Sequence, residues 1–515
     1  MKKTLSLLAL CSVGVAHAQE PADALRFSYT TPSGTARHQA IGGAMGSLGG
    51  DVTATFINPA GLGFYKTGDF VLTPSFRFGN NSAGYFGRKE KADQRKFEIG
   101  TTGVVWATGN NTGKKRGTAI SLAFNTTGDF KKNILYRGIN KQSSYSQKYL
   151  EEIRNAGIKD GNTVASDFGF GTSLAFTSLW IDTIGGSTNG NFQFQSRSVP
   201  LLSSGLIQEQ RLNSRGGNYE TSLGLAVNYN DKLMLGGSLS MPYLFYERNS
   251  TFTEADAANN AANGFDFATV TERLTTTGLG VNVKAGLIYK PQEFWRLGFA
   301  IHSPTIYSLT DDQSAEVTAN VERGAGTLTD YSSLYPDQSP QFRYMMTTPY
   351  KVIGSVSYVL REIQDVTKQR GFLTADIEYI NYKSSSYQPE NSDETETSEE
   401  GKAYLKSLNK AIDNAYKGAF NFRAGGELKF TTVMVRLGAA YYGNPYKDIA
   451  GEKGSRLNLS GGLGYRDKGR FIDLTYVHSM NKDVHLPYRL QNGLSPRADI
   501  RTTAGNVVLT FGIKI

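Results

Sequence analysis

The final nine residues, VVLTFGIKI at 507–515, place an apolar side chain at every second position. One face would carry Val507, Leu509, Phe511, Ile513 and Ile515. The other would carry Thr510, Gly512 and Lys514, together with Val508. Because successive side chains of a β-strand point to opposite faces, this pattern predicts a strand with one apolar and one polar face.

The same alternation recurs along most of the chain, for example at 373–379, 433–441 and 472–476. It predicts fourteen strands. Their expected bounds are 68–88, 94–109, 116–130, 207–229, 232–254, 267–290, 294–319, 341–361, 370–385, 417–430, 432–443, 454–467, 469–481 and 498–514. An even number of strands returns both ends of a closed antiparallel barrel to the same side.

A soluble β-sandwich alternates in the same way, so composition and turn length must decide between the two. The chain holds 57 glycines, 28 tyrosines and 28 phenylalanines, and beyond its N-terminus it has no apolar run long enough for a membrane-spanning helix. Aromatic residues recur beside the short turns, at Tyr229, Tyr289, Trp295, Tyr358, Phe430 and Tyr465. Such a pattern favours a transmembrane barrel, whose aromatic residues lie at the membrane interface.

Long polar insertions separate the short turns, at 131–206, 255–266, 320–340, 386–416 and 482–497. Short turns on one side and long loops on the other are typical of outer-membrane barrels, so we expect the long loops outside the cell. Two insertions have the apolar spacing of helices, at 143–157 and 402–418.

The N-terminus predicts export. Two lysines precede a short apolar run, and Ala16-His17-Ala18 resembles a cleavage site, so residues 1–18 are expected to be a signal peptide. Cys11, the single cysteine, raises lipidation as an alternative, which the large Leu10 before it disfavours. The mature chain would then hold no disulfide and no thiol nucleophile.

Residues 19–66 lack the strand pattern and are rich in glycine and alanine. The lumen of a fourteen-stranded barrel is too wide for its own side chains to fill, so we expect this segment to be a hatch inside the barrel of residues 67–515. In DVTATFINPAGLGF, at 51–64, Pro59 biases Asn58 towards extended geometry. The Asn58 amide would then be free to bind wall carbonyls, with Ala60 and Gly61 leaving space beside it.

The stretch ARHQAIGGAMGSLGGDVTATFINPAGLGF, at 36–64, resembles the N-terminal hatch of FadL-type outer-membrane transporters of long-chain fatty acids and aromatic hydrocarbons. Two later stretches, 296–304 and 422–442, resemble barrel strands of that family. The resemblance implies a fourteen-stranded barrel in a Gram-negative outer membrane, with a third strand that kinks beside the hatch and opens a lateral exit. It further implies that Asn58, Pro59 and Ala60 form the hatch contact, and Gly128 is the candidate for the kink. We expect Asn58 to anchor the hatch to the barrel wall next to the irregular part of this strand, near Gly128.

The resemblance implies a hydrophobic small-molecule ligand, contact with outer-membrane lipid and no cofactor, and we expect a monomer. Two alternatives stay open, a binding or assembly protein such as a type IX secretion shuttle, and a general porin. A ligand carboxylate would be bound by inward-facing cations, because arginine matches a carboxylate with two hydrogen bonds. Strand parity gives Arg296, Arg343, Lys351, Arg423 and Arg436 as the candidates.

Enzymatic and nucleic-acid functions find little support in the residues. The histidines have no metal-binding spacing, and no catalytic motif is present, so we expect no metal site and no enzyme. The net charge of +9 over 515 residues is mild, and no basic cluster with interleaved aromatics suggests nucleic acid.

Overall fold

The computed structural model describes residues 21–109, 115–168, 170–184, 193–322, 326–332, 341–360, 370–390, 399–447 and 454–515. The expected signal peptide, residues 1–18, lies outside these ranges. None of the helices in the described ranges has both the length and the apolar composition needed to cross a membrane.

Fourteen antiparallel strands form a closed barrel, as predicted. They are β1 (Asp69–Leu72 and Pro74–Tyr85), β2 (Arg88–Ile99 and Thr102–Gly109), β3 (Lys115–Asp129 and Lys132–Asn140), β4 (Leu206–Tyr229), β5 (Leu233–Asp256), β6 (Phe267–Tyr289), β7 (Trp295–His302 and Ile306–Asn320), β8 (Gln341–Thr347 and Lys351–Leu360), β9 (Gly371–Asn381 and Ser386–Pro389), β10 (Gly418–Phe430), β11 (Val433–Tyr442), β12 (Arg456–Asp467), β13 (Arg470–His485) and β14 (Ala498–Lys514). The barrel closes where β1 pairs with β14, for example Phe70 opposite Ile513.

Short turns join the strands at one end of the barrel. Asn230 and Asp231 have φ angles of 56° and 54°, and Thr431 and Lys468 have 47° and 45°. Such left-handed residues suit tight hairpins, because the twist of the turn then matches the twist of the strands. The positions of these turns are as predicted.

The outer face of the barrel is apolar between two sets of aromatic residues. Near the short turns lie Tyr229, Tyr289, Trp295 and Tyr465, all between 39% and 47% exposed. Towards the other end lie Tyr243, Phe420, Tyr441 and Tyr476. On the β4–β5 ladder, ten residues separate the pair Tyr229–Leu233 from the pair Tyr219–Tyr243. At about 3.3 Å per residue and a tilt of about 40°, the apolar band is about 25 Å tall, the height of a bilayer core.

The N-terminal segment, which we define as residues 21–66, contains four short helical elements. They are α1 (Pro21–Ser28), α2 (Ala36–Ala40), α3 (Ala54–Ile57) and a 3₁₀ turn (Pro59–Phe64). Thr35 caps α2, since its side-chain oxygen accepts a hydrogen bond from the amide of His38. The segment contacts inward-facing residues of opposite walls, from β4 and β5 to β11 and β13.

Among the described residues, four helices lie in the long connections at the other end of the barrel. They are α4 (Ser146–Ala156), α5 (Gly161–Asp167), α6 (Thr172–Thr177) and α7 (Glu399–Ala415). Both helices predicted from apolar spacing are confirmed, and Gly157 ends α4 with a φ of 68°. Two strand pairs complete this end: Ile181–Ile184 pairs with Gln193–Ser196, and Thr327–Tyr331 pairs with β7.

Two apolar clusters fill the upper barrel. In one, Leu405, Leu408 and Ile412 of α7 pack with Phe27 of α1 and with wall residues such as Tyr344. In the other, Trp180, Tyr145 and Tyr149 pack with residues of β5, β6 and β7. The end of the barrel that carries the long connections is therefore covered by packed helices.

Candidate functional site

Asn58 connects the N-terminal segment to the barrel wall. Its side-chain amide donates to the carbonyl of Gly46 at 2.6 Å and to those of Leu287 on β6 and Phe299 on β7 at 3.2 and 3.4 Å. Its carbonyl oxygen accepts from the amide of Ala60. Asn58 has extended backbone angles and is fully buried, so its amide is satisfied only by protein groups.

Close approach at this contact depends on Gly286. A Cβ added at Gly286 of β6 would overlap the side-chain oxygen of Asn58. Any other residue there would displace the amide from the wall, because only glycine lacks the Cβ.

Polar side chains of the wall bind the backbone of the N-terminal segment elsewhere. The carboxylate of Asp376 accepts from the amides of Met45 and Gly46, both at 2.9 Å. The Ser47 hydroxyl lies 2.5 Å from that of Ser357. Such contacts satisfy groups that would otherwise be buried without partners.

A cavity of about 130 Å³ lies inside the barrel, between the N-terminal segment and the walls of β3 to β13. Its apolar lining includes Phe27, Tyr29, Phe56, Tyr307 and Tyr442. His38 lies in the cavity floor, and burial lowers the pKa of its imidazole to about 4, with Arg423 and Arg37 lowering it further and Asp51 opposing them.

Five charged side chains line the cavity: Lys284, Lys351, Arg423, Glu220 and Glu378. Arg423 is 2.7 Å from Glu378, and Lys284 is paired with Glu220. The Lys351 side chain has no hydrogen bond and no carboxylate within 4 Å among the described residues, although it is partly buried, lines the cavity and is attracted by the charge of Glu378. The lining thus holds three cations against two carboxylates.

The other predicted cations do not line the cavity. Arg436 is fully buried between Glu427 and Asp473, at 2.6 and 2.5 Å, so its charge is already neutralised. Arg296 places its guanidinium over the ring of Phe64.

The prediction that Arg343 faces the lumen is wrong. Arg343 is exposed, and its neighbours Tyr344 and Met346 are the buried residues. The irregular link at 348–350 interrupts β8, so inward positions are even-numbered before it and odd-numbered after it. A prediction that uses odd-numbered inward positions for the whole of β8 is therefore wrong for Arg343 and correct for Lys351.

The third strand is irregular where Gly128 lies. The ladder between β2 and β3 ends at Thr102–Phe124, and no described residue of Arg88–Ile99 pairs in a ladder with β3. The β3–β4 register shifts between Thr126 and Gly128. Beyond the shift, β3 packs over the inner face of β1, where Tyr136 contacts Tyr85 at 4.6 Å between ring centroids.

Charged side chains hold the irregular part of β3. Asp129 lies 2.7 Å from Arg77 of β1 and 2.8 Å from Lys96 of β2. Lys96 also pairs with Glu98 at 2.5 Å. The gap between the β2 and β3 ladders is thus bridged by side chains where backbone hydrogen bonds are missing.

The expectation that Asn58 lies next to Gly128 is wrong. Asn58 contacts β6 and β7, whereas Gly128 pairs with Asn218 of β4, and strand β5 separates the two sites. The segment does reach the irregular part of β3 through another residue, since the Thr31 amide donates to the carbonyl of Thr127 at 3.0 Å.

No protein-family model matches the chain, and no curated protein matches it. Among solved structures, a Pseudomonas aeruginosa FadL homologue is similar with a TM-score of 0.54, at 14% identity, over 94% of this chain and 99% of that chain. The chain has the FadL fold. The Pseudomonas putida toluene transporter TodX is similar with a TM-score of 0.50, at 13% identity, over the same shares of the two chains. The resemblance inferred from 36–64 is confirmed at the level of the FadL fold.

Sequence reasoning missed the pair of Lys284 with Glu220 in the cavity. The signal was present in GVNVKAGL at 280–287, where lysine is the one charge and takes the polar parity of the strand. A cation whose flanking apolar residues face outward must face the lumen.

Proposed function

We propose that this protein is an outer-membrane channel for hydrophobic molecules, with long-chain fatty acids or similar amphiphilic acids as ligands. The observation that carries the proposal is the cavity inside a barrel with an apolar outer band, lying above the N-terminal segment. The solved structures of this fold include a FadL homologue and a toluene transporter, which supports a hydrophobic ligand.

The charges of the cavity favour a ligand with an acidic head group. Lys351 is the cation of the cavity lining without an ion pair among the described residues, and the lining carries one positive charge in excess. A carboxylate beside Lys351 would remove that excess, and its apolar tail would contact Phe27, Phe56 and Tyr307.

The N-terminal segment would act as the hatch, as the sequence predicts for residues 19–66. Asn58, with Pro59, Ala60 and Gly61, would hold the hatch to β6 and β7, and the interrupted ladder at Gly128 would be the lateral exit towards lipid. The absence of ladder hydrogen bonds between Arg88–Ile99 and β3 in the described chain supports this route.

The two alternatives gain no specific support from the described residues. A general porin conducts through an open lumen. Here the N-terminal segment packs inside the barrel near the short turns, and α7 packs inside the end with the long connections. A secretion shuttle would use its loops to bind a protein partner, and no feature of the described helices α4 to α7 indicates a binding surface of this kind. Transport accounts for the internal cavity, and a catalytic function is not needed to explain it.

Uptake of labelled oleate and of labelled toluene by cells with and without the protein tests the proposal. We expect oleate uptake to fall about ten-fold in Lys351→Gln, the usual effect of losing a charged hydrogen bond, with toluene entry unchanged. Lys232→Gln, an exposed lysine at a short turn, is the matched control. Equal uptake with and without the protein would refute the proposed function.

A further inference from the structure

Four exposed cations lie together on the outer face of the barrel. Lys482 of β13 is directly opposite Arg501 of β14, and Ser82 of β1 lies between Arg501 and Lys91 of β2. Arg95 is four residues from Lys91 on the same face of β2. We call Lys91, Arg95, Lys482 and Arg501 the cationic patch.

The patch begins where the apolar band ends. Arg95 is two residues beyond Phe97, which is 66% exposed, and Lys482 is two residues beyond Met480. Lys91 is six residues beyond Phe97. At about 3.3 Å per residue and a tilt of about 40°, the patch spans from about 5 to about 15 Å beyond the band, where head groups begin.

The positive charge of the patch is unbalanced. Like charges directly opposite on paired strands are unfavourable, yet Lys482 is opposite Arg501. Among the described residues, no carboxylate lies within 4 Å of any of the four cations. Asp93 lies between Lys91 and Arg95 on the outer face, which leaves a net charge of +3 for the patch and Asp93.

No described residue covers the four side chains of the patch, which are all exposed. The hairpin between β1 and β2 is the two-residue turn of Phe86 and Gly87, with φ angles of 41° and 80°. Two arginines elsewhere on the outer surface are paired, Arg215 with Glu247 and Arg211 with Glu209. The patch is therefore open to the surrounding leaflet, whereas comparable arginines are already neutralised.

We propose that the cationic patch binds the phosphate groups of a phosphorylated glycolipid in the leaflet around the barrel. The inference rests on the outer-membrane location in the proposed function, but it adds a site that transport itself does not need. Each lysine or arginine near an anionic membrane surface contributes to lipid binding, and arginine binds phosphate with paired hydrogen bonds. A phosphate between Lys482 and Arg501 would remove their repulsion.

Native mass spectrometry of the full protein, delipidated in detergent, tests the site. The probes are bisphosphorylated lipid A, lipid A with both phosphates removed, and inorganic phosphate. We expect the bisphosphorylated lipid to bind at least about ten-fold more tightly than the dephosphorylated one, and the preference to weaken as salt is raised. The variant with Lys91→Gln, Arg95→Gln, Lys482→Gln and Arg501→Gln should lose the preference.

A control variant removes the same number of exposed cations at the opposite end of the barrel, with glutamine at Lys66, Lys232, Lys468 and Arg470. It should keep the preference for the phosphorylated lipid. Equal binding of both lipids by the native protein, or an unchanged preference in the patch variant, would overturn the proposal. Displacement of the lipid by millimolar inorganic phosphate would assign the patch to a free anion. Because binding is measured without transport, a protein that binds the lipid but carries no oleate would refute the proposed function alone.

Discussion

Replacing Asn58 with alanine should loosen the N-terminal segment while the barrel stays folded. The change removes one short and two longer donated hydrogen bonds and one accepted bond, all within a fully buried contact. At about 1 kcal/mol net for a good bond and less for the longer ones, the loss is about 3 kcal/mol. A loss of this size shifts the equilibrium between bound and released segment about 100-fold, since about 1.4 kcal/mol is one factor of ten.

Replacing Gly286 with alanine should produce the same effect from the wall side. The added Cβ would overlap the Asn58 side-chain oxygen, and overpacking of a buried site costs about 1–3 kcal/mol. Once Asn58 is alanine, the overlapping atom is gone. The two substitutions should therefore be strongly non-additive, as expected for residues in direct contact.

Thiol labelling measures the released population. The one native cysteine, Cys11, lies in the expected signal peptide, so Ser47→Cys would place a single thiol in the mature chain. Ser47 is fully buried against β8, and a maleimide can reach it only when the segment leaves the wall. We expect the labelling rate to rise about 100-fold with Asn58→Ala, and the double variant to react no faster than Asn58→Ala alone.

Two results would refute this reasoning. If the double variant labels at the product of the two single effects, then Asn58 and Gly286 do not share one contact. If Asn58→Ala abolishes the heat-modifiable mobility of the folded barrel on a gel, then the residue supports the barrel itself. Asn228→Ala, which removes a bond to the carbonyl of Gly63 at the other wall, is the control for loss of an amide.

Three more predictions concern the N-terminal segment and the irregular part of β3. A disulfide in Ser47→Cys/Ser357→Cys should stop oleate uptake until reductant is added; unaffected uptake would mean that the segment does not move. Asp129→Asn should raise hydrogen exchange in Lys132–Asn140 at least about ten-fold, because it removes the ion pairs that hold this part of β3 to the partly buried Arg77 and Lys96; unchanged exchange would contradict this. Acidification from pH 7 to 5 should raise Ser47→Cys labelling relative to that of the unfolded protein at the same pH, a ratio that cancels the loss of thiolate. The bound segment keeps His38 at a pKa of about 4 and therefore loses stability as pH falls below the released value of about 6.5; His38→Gln should abolish the effect.

The barrel could be predicted from the sequence because each strand carries its own evidence. Alternation in stretches such as 507–515 specifies both a strand and the face that meets lipid, and positive-φ turns such as Asn230-Asp231 mark where strands reverse. Helix α7 was equally visible, since Leu405, Leu408 and Ile412 repeat at helical spacing. These are local signals that need no knowledge of distant contacts.

The site could be predicted only in part, because its contacts join residues far apart in sequence. The preference of Asn58 for wall carbonyls follows from its chemistry, but which strand it meets depends on how residues 21–66 cross the lumen. The error at Arg343 has a similar origin, since the break at 348–350 changes parity without a signal in the alternation itself. Parity is reliable within an uninterrupted ladder and fails across an irregular link.

The N-terminal segment touches both ends of the cavity, and this limits how a ligand can pass. Above the cavity, the Tyr416 hydroxyl at the end of α7 donates to the carbonyl of Pro21 in α1, at 3.0 Å. Below it, Asn58 holds the same segment to β6 and β7, and between them Thr31 binds the irregular part of β3. In the proposed transport, a ligand that parts α1 from α7 would pull on the chain that contacts the irregular part of β3. Because one continuous segment makes the contact with α7 and the contact with β3, we expect ligand capture at the α7 end of the barrel and ligand release beside β3 to be coupled.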